Sequence, residues 1–158
     1  MNICVLTISD SGYRGERKDF SGDAVQKYVE DAGHAVVQRS IVPDDPSAIR
    51  TILEKCADST GVDVIFTTGG TGLSTRDNTP EATIDVTEYL IPGIAEVMRL
   101  KTFDLTPYSI LSRAVAGVRS GSIIINLPGS VSGVKQCIEV VFESVIHAVQ
   151  IVQDTKPH

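Results

Sequence analysis

The chain has no tryptophan and only four phenylalanines and four tyrosines in 158 residues, so a cofactor that needs aromatic stacking has little to lie against. Its three cysteines, Cys4, Cys56 and Cys137, form no CxxC and are odd in number, which speaks against a disulfide framework or a cysteine zinc site. Each falls among apolar neighbours and is expected as a buried, reduced thiol. The histidines are equally isolated: His34 starts a strand, His147 sits in the last helix, and His158 is the final residue, none near a second ligand. No basic run offsets the net charge of −6, which argues against nucleic acid or an anionic membrane as partner. No apolar stretch approaches the roughly 20 residues of a membrane span, and no basic signal-peptide start is present. The expectation is a cytoplasmic protein.

What is present is aliphatic and periodic. The length predicts one domain, residues 1–158, with a substantial core. Apolar runs predict strands over 2–8, 35–42, 63–68 and 122–127. Between them, 3.6-residue periodicity predicts helices over 21–32, with Ala24, Val25, Tyr28, Val29 and Ala32 inward, and over 47–57, with Ala48, Ile49, Ile52, Leu53 and Cys56 inward. Further helices are predicted over 80–89, 92–101, near 108–116, and over 131–153, the last with Val134, Ile138, Val141, Val145, Ala148, Val149 and Val152 facing the core. Gly33 is the expected stop of the first helix. Strands alternating with helices imply an α/β fold with a mostly parallel sheet and right-handed crossovers.

The segment Thr67-Thr68-Gly69-Gly70-Thr71-Gly72-Leu73-Ser74-Thr75-Arg76-Asp77-Asn78-Thr79-Pro80-Glu81 links a strand to a helix, with Thr79 expected as N-cap and Pro80 as the first helical residue. Its glycines let backbone N–H groups approach an anion, and the following helix start favours negative charge. Arg76 and Asp77 add a fixed cation and a carboxylate able to hold a metal ion. No lysine follows the last glycine as in a P-loop, and the further glycine of a dinucleotide fingerprint is missing, so by pattern alone the loop serves equally as a simple chain turn.

In a parallel sheet the strand-to-helix loops emerge at one carboxyl edge, where ligands bind. Four loops share that rim: Ser9 to Gly12, Pro43 to Asp45, the glycine loop, and Leu127 to Ser130. Three carry an aspartate just after the strand. Asp45, beside Pro46, reads as a helix cap, whereas Asp44 and Asp77 beside a phosphate-cradling loop can share a magnesium ion bound to a nucleotide.

Four linked motifs carry a resemblance: Thr68-Gly69-Gly70-Thr71-Gly72; Arg76-Asp77 with Thr79-Pro80-Glu81-Ala82; Leu111-Ser112-Arg113-Ala114 with Ala116-Gly117; and Ile125-Asn126-Leu127-Pro128-Gly129-Ser130. In order and over nearly the whole chain, they resemble the molybdenum cofactor biosynthesis proteins of the MogA/MoaB type, related to the gephyrin G domain. Thr75 stands where that family usually has proline, Asn78 where valine is common, and Val131 where proline often follows.

The resemblance implies a three-layer α/β sandwich and molybdopterin adenylyltransfer, in which ATP and molybdopterin give adenylylated molybdopterin and pyrophosphate with Mg²⁺. It implies Asp44 and Asp77 as catalytic and metal-holding residues. Gly69, Gly70, Thr71, Gly72, Arg76, Ser112 and Asn126 become the expected substrate contacts; Ser9, Asp10, Pro128, Gly129 and Ser130 the nucleotide contacts. It also implies a homo-oligomer, trimer or hexamer, working alongside other enzymes of the pathway. Two other readings stay open: a non-catalytic pterin-binding or scaffold protein of the same family, and a flavodoxin-like carrier using Ser9 to Gly12, for which Tyr13 is the chief aromatic cover.

Overall fold

Residues 1–154 are described by the computed structural model; His158 lies outside them. The elements run β1 (Asn2–Ile8), α1 (Asp10–Tyr13), α2 (Phe20–Asp31), β2 (Ala35–Val42), α3 (Pro46–Ala57), β3 (Val64–Thr68), α4 (Thr79–Val86), β4 (Tyr89–Leu90), α5 (Pro92–Thr102), a 3-10 turn (Pro107–Leu111), β5 (Ala116–Arg119), β6 (Ser122–Leu127) and α6 (Val131–Asp154). One six-stranded sheet has the order β2-β1-β3-β6-β5-β4. The first four are parallel, while β5 and β4 run antiparallel at one edge.

Three layers follow from alternation along the central strands. Ile3 and Val5 of β1 face a core shared with α2, α5 and α6, through residues such as Val25, Met98 and Ile138. Cys4, Leu6 and Ile8 face the opposite side, against Ile49 and Leu53 of α3 and Ala82 and Val86 of α4. β3 and β6 are buried along their whole length, as central strands covered on both faces must be, whereas the edge strand β2 alternates in exposure. Cys4, Cys56 and Cys137 are buried and free.

Several expectations need correction. The helix expected to reach Tyr89 ends at Val86, because Thr87 turns extended (φ −84°, ψ 144°) and leads into β4. The helix expected near 108–116 is a 3-10 turn followed by β5. β5 and β6 form a hairpin whose two-residue loop, Ser120-Gly121, has φ of 50° and 77°, the left-handed pair such tight turns require. Ser9 to Gly12 is largely the single-turn helix α1, capped by the Ser9 hydroxyl accepting from Gly12 N–H at 3.1 Å. Ala32 is exposed rather than inward. Thr79 is not the N-cap of α4 but lies inside its first turn; Asn78 holds the cap position without a side-chain bond, and the Thr79 hydroxyl donates to the Gly69 carbonyl at 2.9 Å.

Beneath the rim the sheet interior turns polar. Asn126 has no exposed surface; its amide donates to the hydroxyls of Thr67 (3.0 Å) and Thr83 (2.9 Å), and its oxygen accepts from Val115 N–H at 3.2 Å. A buried polar network of this kind is stable only while every member is partnered. Asn126→Ala strands a backbone N–H and opens a cavity, so it is expected to cost about 2–4 kcal/mol in chemical denaturation. A loss below about 0.5 kcal/mol would contradict the network's role.

Candidate active site

The carboxyl ends of β1, β2, β3 and β6 meet on one rim, and hydrogen bonds between the loops fix their spacing. Asp10 N–H donates to the Asp44 carboxylate and Asp44 N–H to the Asp10 carboxylate, both at 2.9 Å. The second Asp10 oxygen pairs with the guanidinium of Arg76, which reaches across from the glycine loop. Asp77 accepts from Ser74 N–H at 2.9 Å and donates its own N–H to the Ser74 carbonyl at 2.9 Å, a reciprocal pair that holds the end of the loop. The Thr68 hydroxyl donates to the Pro128 carbonyl at 2.7 Å, tying the β3 and β6 loops together. Asp45 caps α3, its carboxylate accepting from Ala48 N–H at 2.7 Å.

The glycines have a packing role beside the one expected of them. Gly69 and Gly70 have φ of 96° and 66°, a region in which glycine carries no Cβ penalty. A Cβ on Gly69 would lie 2.5 Å from the Ile8 carbonyl oxygen, and one on Gly70 would collide with the Thr79 hydroxyl. Both glycines therefore satisfy the turn and its packing against protein. The anion-binding capacity lies in the amides: those of Gly70, Thr71 and Gly72 donate to no protein acceptor among the described residues.

Two cavities flank the loop. The larger, 490 Å³, is lined by Thr71, Gly72, Ser112, Pro128 and Ser130 together with apolar groups that include Ala95, Met98 and Leu111. The smaller, 200 Å³, is lined by Ser9, Gly69 and Gly129 together with Arg17 and Lys18. Asp44 and Asp77 line neither. Ser130 caps α6, its hydroxyl accepting from Gly133 N–H at 3.1 Å, so the positive end of that long helix faces the rim.

Asn126 belongs to neither cavity: with no exposed surface and all its polar atoms engaged it supports the loops from within the sheet, a correction to its expected place among the substrate contacts. Sequence reasoning overlooked Arg17 and Lys18, although two adjacent cations shortly after a rim segment are a legible signal. It gave no role to Arg113, although that residue stands in one of the motifs that carry the resemblance. This residue donates from its backbone to the Thr71 carbonyl (2.9 Å) and from its guanidinium to the carbonyls of Gly72 (2.8 Å) and Asp77 (2.5 Å) and to the Glu81 carboxylate. Burial works against the charge of Glu81, but the bond from Arg113, a backbone hydrogen bond and the Arg113 charge together outweigh it and leave that carboxyl below its usual range.

Burial, and after it the charge of Asp77, holds the Asp44 carboxyl above the ordinary aspartate range. A carboxylate whose ionisation is opposed by burial and by a neighbouring negative charge is the arrangement a divalent cation relieves. Among the described residues no three acidic, histidine or cysteine side chains gather as a metal cage. The donor set suits magnesium, which is commonly held by one or two carboxylates plus substrate phosphates rather than by an all-protein cage.

The comparisons with known proteins agree with this architecture. A family model described as a probable molybdopterin binding domain matches residues 4–148. A molybdopterin adenylyltransferase of Helicobacter pylori is 38% identical over 154 residues, covering 96% of this chain and 88% of that protein. The molybdenum cofactor biosynthesis protein B of Halalkalibacterium halodurans is 41% identical over 133 residues, 83% of this chain and 77% of its own length. The crystal structure of the molybdopterin biosynthesis enzyme MoaB from Thermus thermophilus superposes with a TM-score of 0.91 at 43% identity, covering 99% of this chain and 98% of that one.

The raised Asp44 carboxyl has a consequence for stability. A carboxyl whose folded pKa exceeds its unfolded value favours the native state at acid pH, and that contribution is lost as pH rises from the unfolded value through the folded one. At pH 7 the ionised Asp44 is thus a burden on the ligand-free fold. Asp44→Asn, which keeps an acceptor for Asp10 N–H, is expected to melt at or above the wild-type midpoint at pH 7, the difference vanishing near about pH 3. A lower midpoint at pH 7 in thermal melts across this range would contradict the assignment.

Proposed function

The chain belongs to the probable molybdopterin-binding domain family, and from that membership we propose that it is a molybdopterin adenylyltransferase, joining AMP from ATP to molybdopterin and releasing pyrophosphate. The observation that carries this reading is the pairing of Asp44 with Asp77 next to a glycine loop whose amides have no protein acceptor. The curated relative of that name, alike over 96% of this chain, supports it.

In this reaction a terminal phosphate oxygen of molybdopterin attacks the α-phosphorus of ATP. The new P–O bond forms as the bond to the bridging oxygen of pyrophosphate breaks, in line. Phosphate is already nucleophilic at neutral pH, so no general base is required and the isolation of the histidines is no obstacle. The barrier is repulsion between anions and their orientation, which pre-aimed donors lower without reorganising. Gly70, Thr71 and Gly72 offer amides to phosphate oxygens, and Ser112 lines the cavity beside them. Ser9, Gly129, Arg17 and Lys18 give the smaller cavity hydroxyl, backbone and cationic groups suited to nucleotide phosphates. Asp10 holds Asp44 by their reciprocal bonds, and Arg76, paired with Asp10, is the loop's own cation for a phosphate. Asp44 and Asp77 would hold Mg²⁺, which when bound neutralises phosphate charge in the transition state.

The exposed side chains of Leu100, Leu105, Tyr108 and Ile110, on α5 and the turn after it, support self-association of the chain, with a trimer as the expected state.

Pyrophosphate release from ATP, followed with and without molybdopterin, tests the reading. Wild-type protein should release pyrophosphate only with molybdopterin present. Asp77→Asn keeps the acceptor for Ser74 N–H and removes the charge, so it should fold normally and lose about 100-fold or more in kcat. Near wild-type turnover would remove Asp77 from catalysis. Tight pterin binding with no release by the wild type would favour the non-catalytic binding role instead.

A further inference from the structure

Arg113 lies between the 3-10 turn and β5, remote in sequence from the glycine loop, yet its hydrogen bonds reach both ends of that loop. Its backbone N–H and its Nε take the carbonyls of Thr71 and Gly72, and Nη2 takes the carbonyl of Asp77. The remaining edge of the guanidinium meets Glu81, in the first turn of α4, so the fork is itself held in place. Ser112 and Ala114 line the 490 Å³ cavity, but Arg113 between them does not. It stands behind the loop.

In a planar trans peptide the C=O of one residue and the N–H of the next point in opposite directions. Drawing the Thr71 and Gly72 carbonyls toward Arg113 therefore turns the Gly72 and Leu73 N–H groups away from it. Those two residues line the cavity, and neither amide has a protein acceptor among the described residues. Holding the Asp77 carbonyl likewise fixes the backbone from which that carboxylate projects. Arginine suits the task because its donors form a rigid planar fork and stay charged at all working pH values; lysine offers a single point charge.

We propose that Arg113 is a positioning residue for adenylyl transfer: by gripping three loop carbonyls it aims the Gly72 and Leu73 amides and the Asp77 carboxylate at the reacting phosphates. The proposal rests on the adenylyltransferase reading for its kinetic consequence, but not for its structural one.

The test compares Arg113→Lys and Arg113→Gln with the wild type by thermal melt, by amide hydrogen exchange in the ligand-free protein, and by steady-state kinetics. Arg113→Lys should remain folded while exchange of the hydrogen-bonded loop amides, those of Ser74, Arg76 and Asp77, quickens by about tenfold or more and exchange in β1 and β3 is unchanged. Its kcat should fall by about tenfold or more with KM for ATP within about threefold, the split expected when an interaction matters chiefly in the transition state. Arg113→Gln should lose as much or more. Should either variant fail to fold, Glu81→Gln, which frees the fork without removing it, should quicken exchange of the same amides alone. Wild-type exchange and kcat in Arg113→Lys would overturn the proposal, as would exchange raised throughout the chain in step with lost activity. If the wild-type protein itself transfers no adenylyl group, the functional reading fails, and the exchange rates alone decide whether Arg113 positions the loop.

Discussion

Asp44 and Asp77 leave the sheet from different strands, yet they come close enough for the charge of one to resist ionisation of the other. Little in the ligand-free molecule relieves that repulsion. Asp44 accepts one backbone N–H and Asp77 another, while the nearby guanidinium of Arg76 is engaged by Asp10. The fold thus keeps two partly desolvated carboxylates together at a cost to itself, an arrangement whose natural resolution is a cation arriving with phosphates.

Keeping that pair in place requires a rigid rim, and much of the unusual chemistry beneath it serves this end. β3 and β6 are apolar for most of their length but finish in Thr67, Thr68 and Asn126, all buried. Thr68 grips the Pro128 carbonyl and Asn126 joins β6 to Thr67 and Thr83, so two loops and the middle of α4 are tied to the carboxyl end of the sheet. Gly69 and Gly70, whose absent Cβ atoms leave room for Ile8 and Thr79, let the chain turn tightly enough for its amides to be exposed. Arg113 closes the structure from behind. Cavity-lining and supporting groups are consecutive in sequence here, Ser112 facing the larger cavity and Arg113 the back of the loop.

The frame of this molecule was legible in the chain because its central strands are buried on both faces. Such strands read as continuous apolar runs, and β1 and β6 have the limits the pattern predicts, as does the edge strand β2 although it alternates in exposure. The antiparallel edge was not legible. β4 has two residues and β5 four, one of them Gly117, too short and too weakly patterned to compete with the helical periodicity around them. The Ser120-Gly121 turn was the available clue. At the rim, the loops and their acids followed from topology alone. The direction of each side chain did not: Asn126 lies one residue before Leu127 at a strand end, and only the phase of the pleat, with Thr67 and Thr83 opposite, sends its amide inward rather than into the site. The packing need at Gly70 likewise depends on Thr79, nine residues on, entering the turn rather than capping α4.

The carboxylate pair is directly observable. With aspartate side-chain carboxyls labelled by carbon-13, the resonance of Asp44 can be followed through pH in the ligand-free protein and again with magnesium and ATP. A midpoint above the ordinary aspartate range is expected in the free protein. That midpoint should shift to lower pH in the wild type when the metal nucleotide binds, and partly in the same direction when Asp77 is replaced by asparagine. An ordinary midpoint in the free protein, unmoved by either change, would contradict the pairing of the two carboxylates.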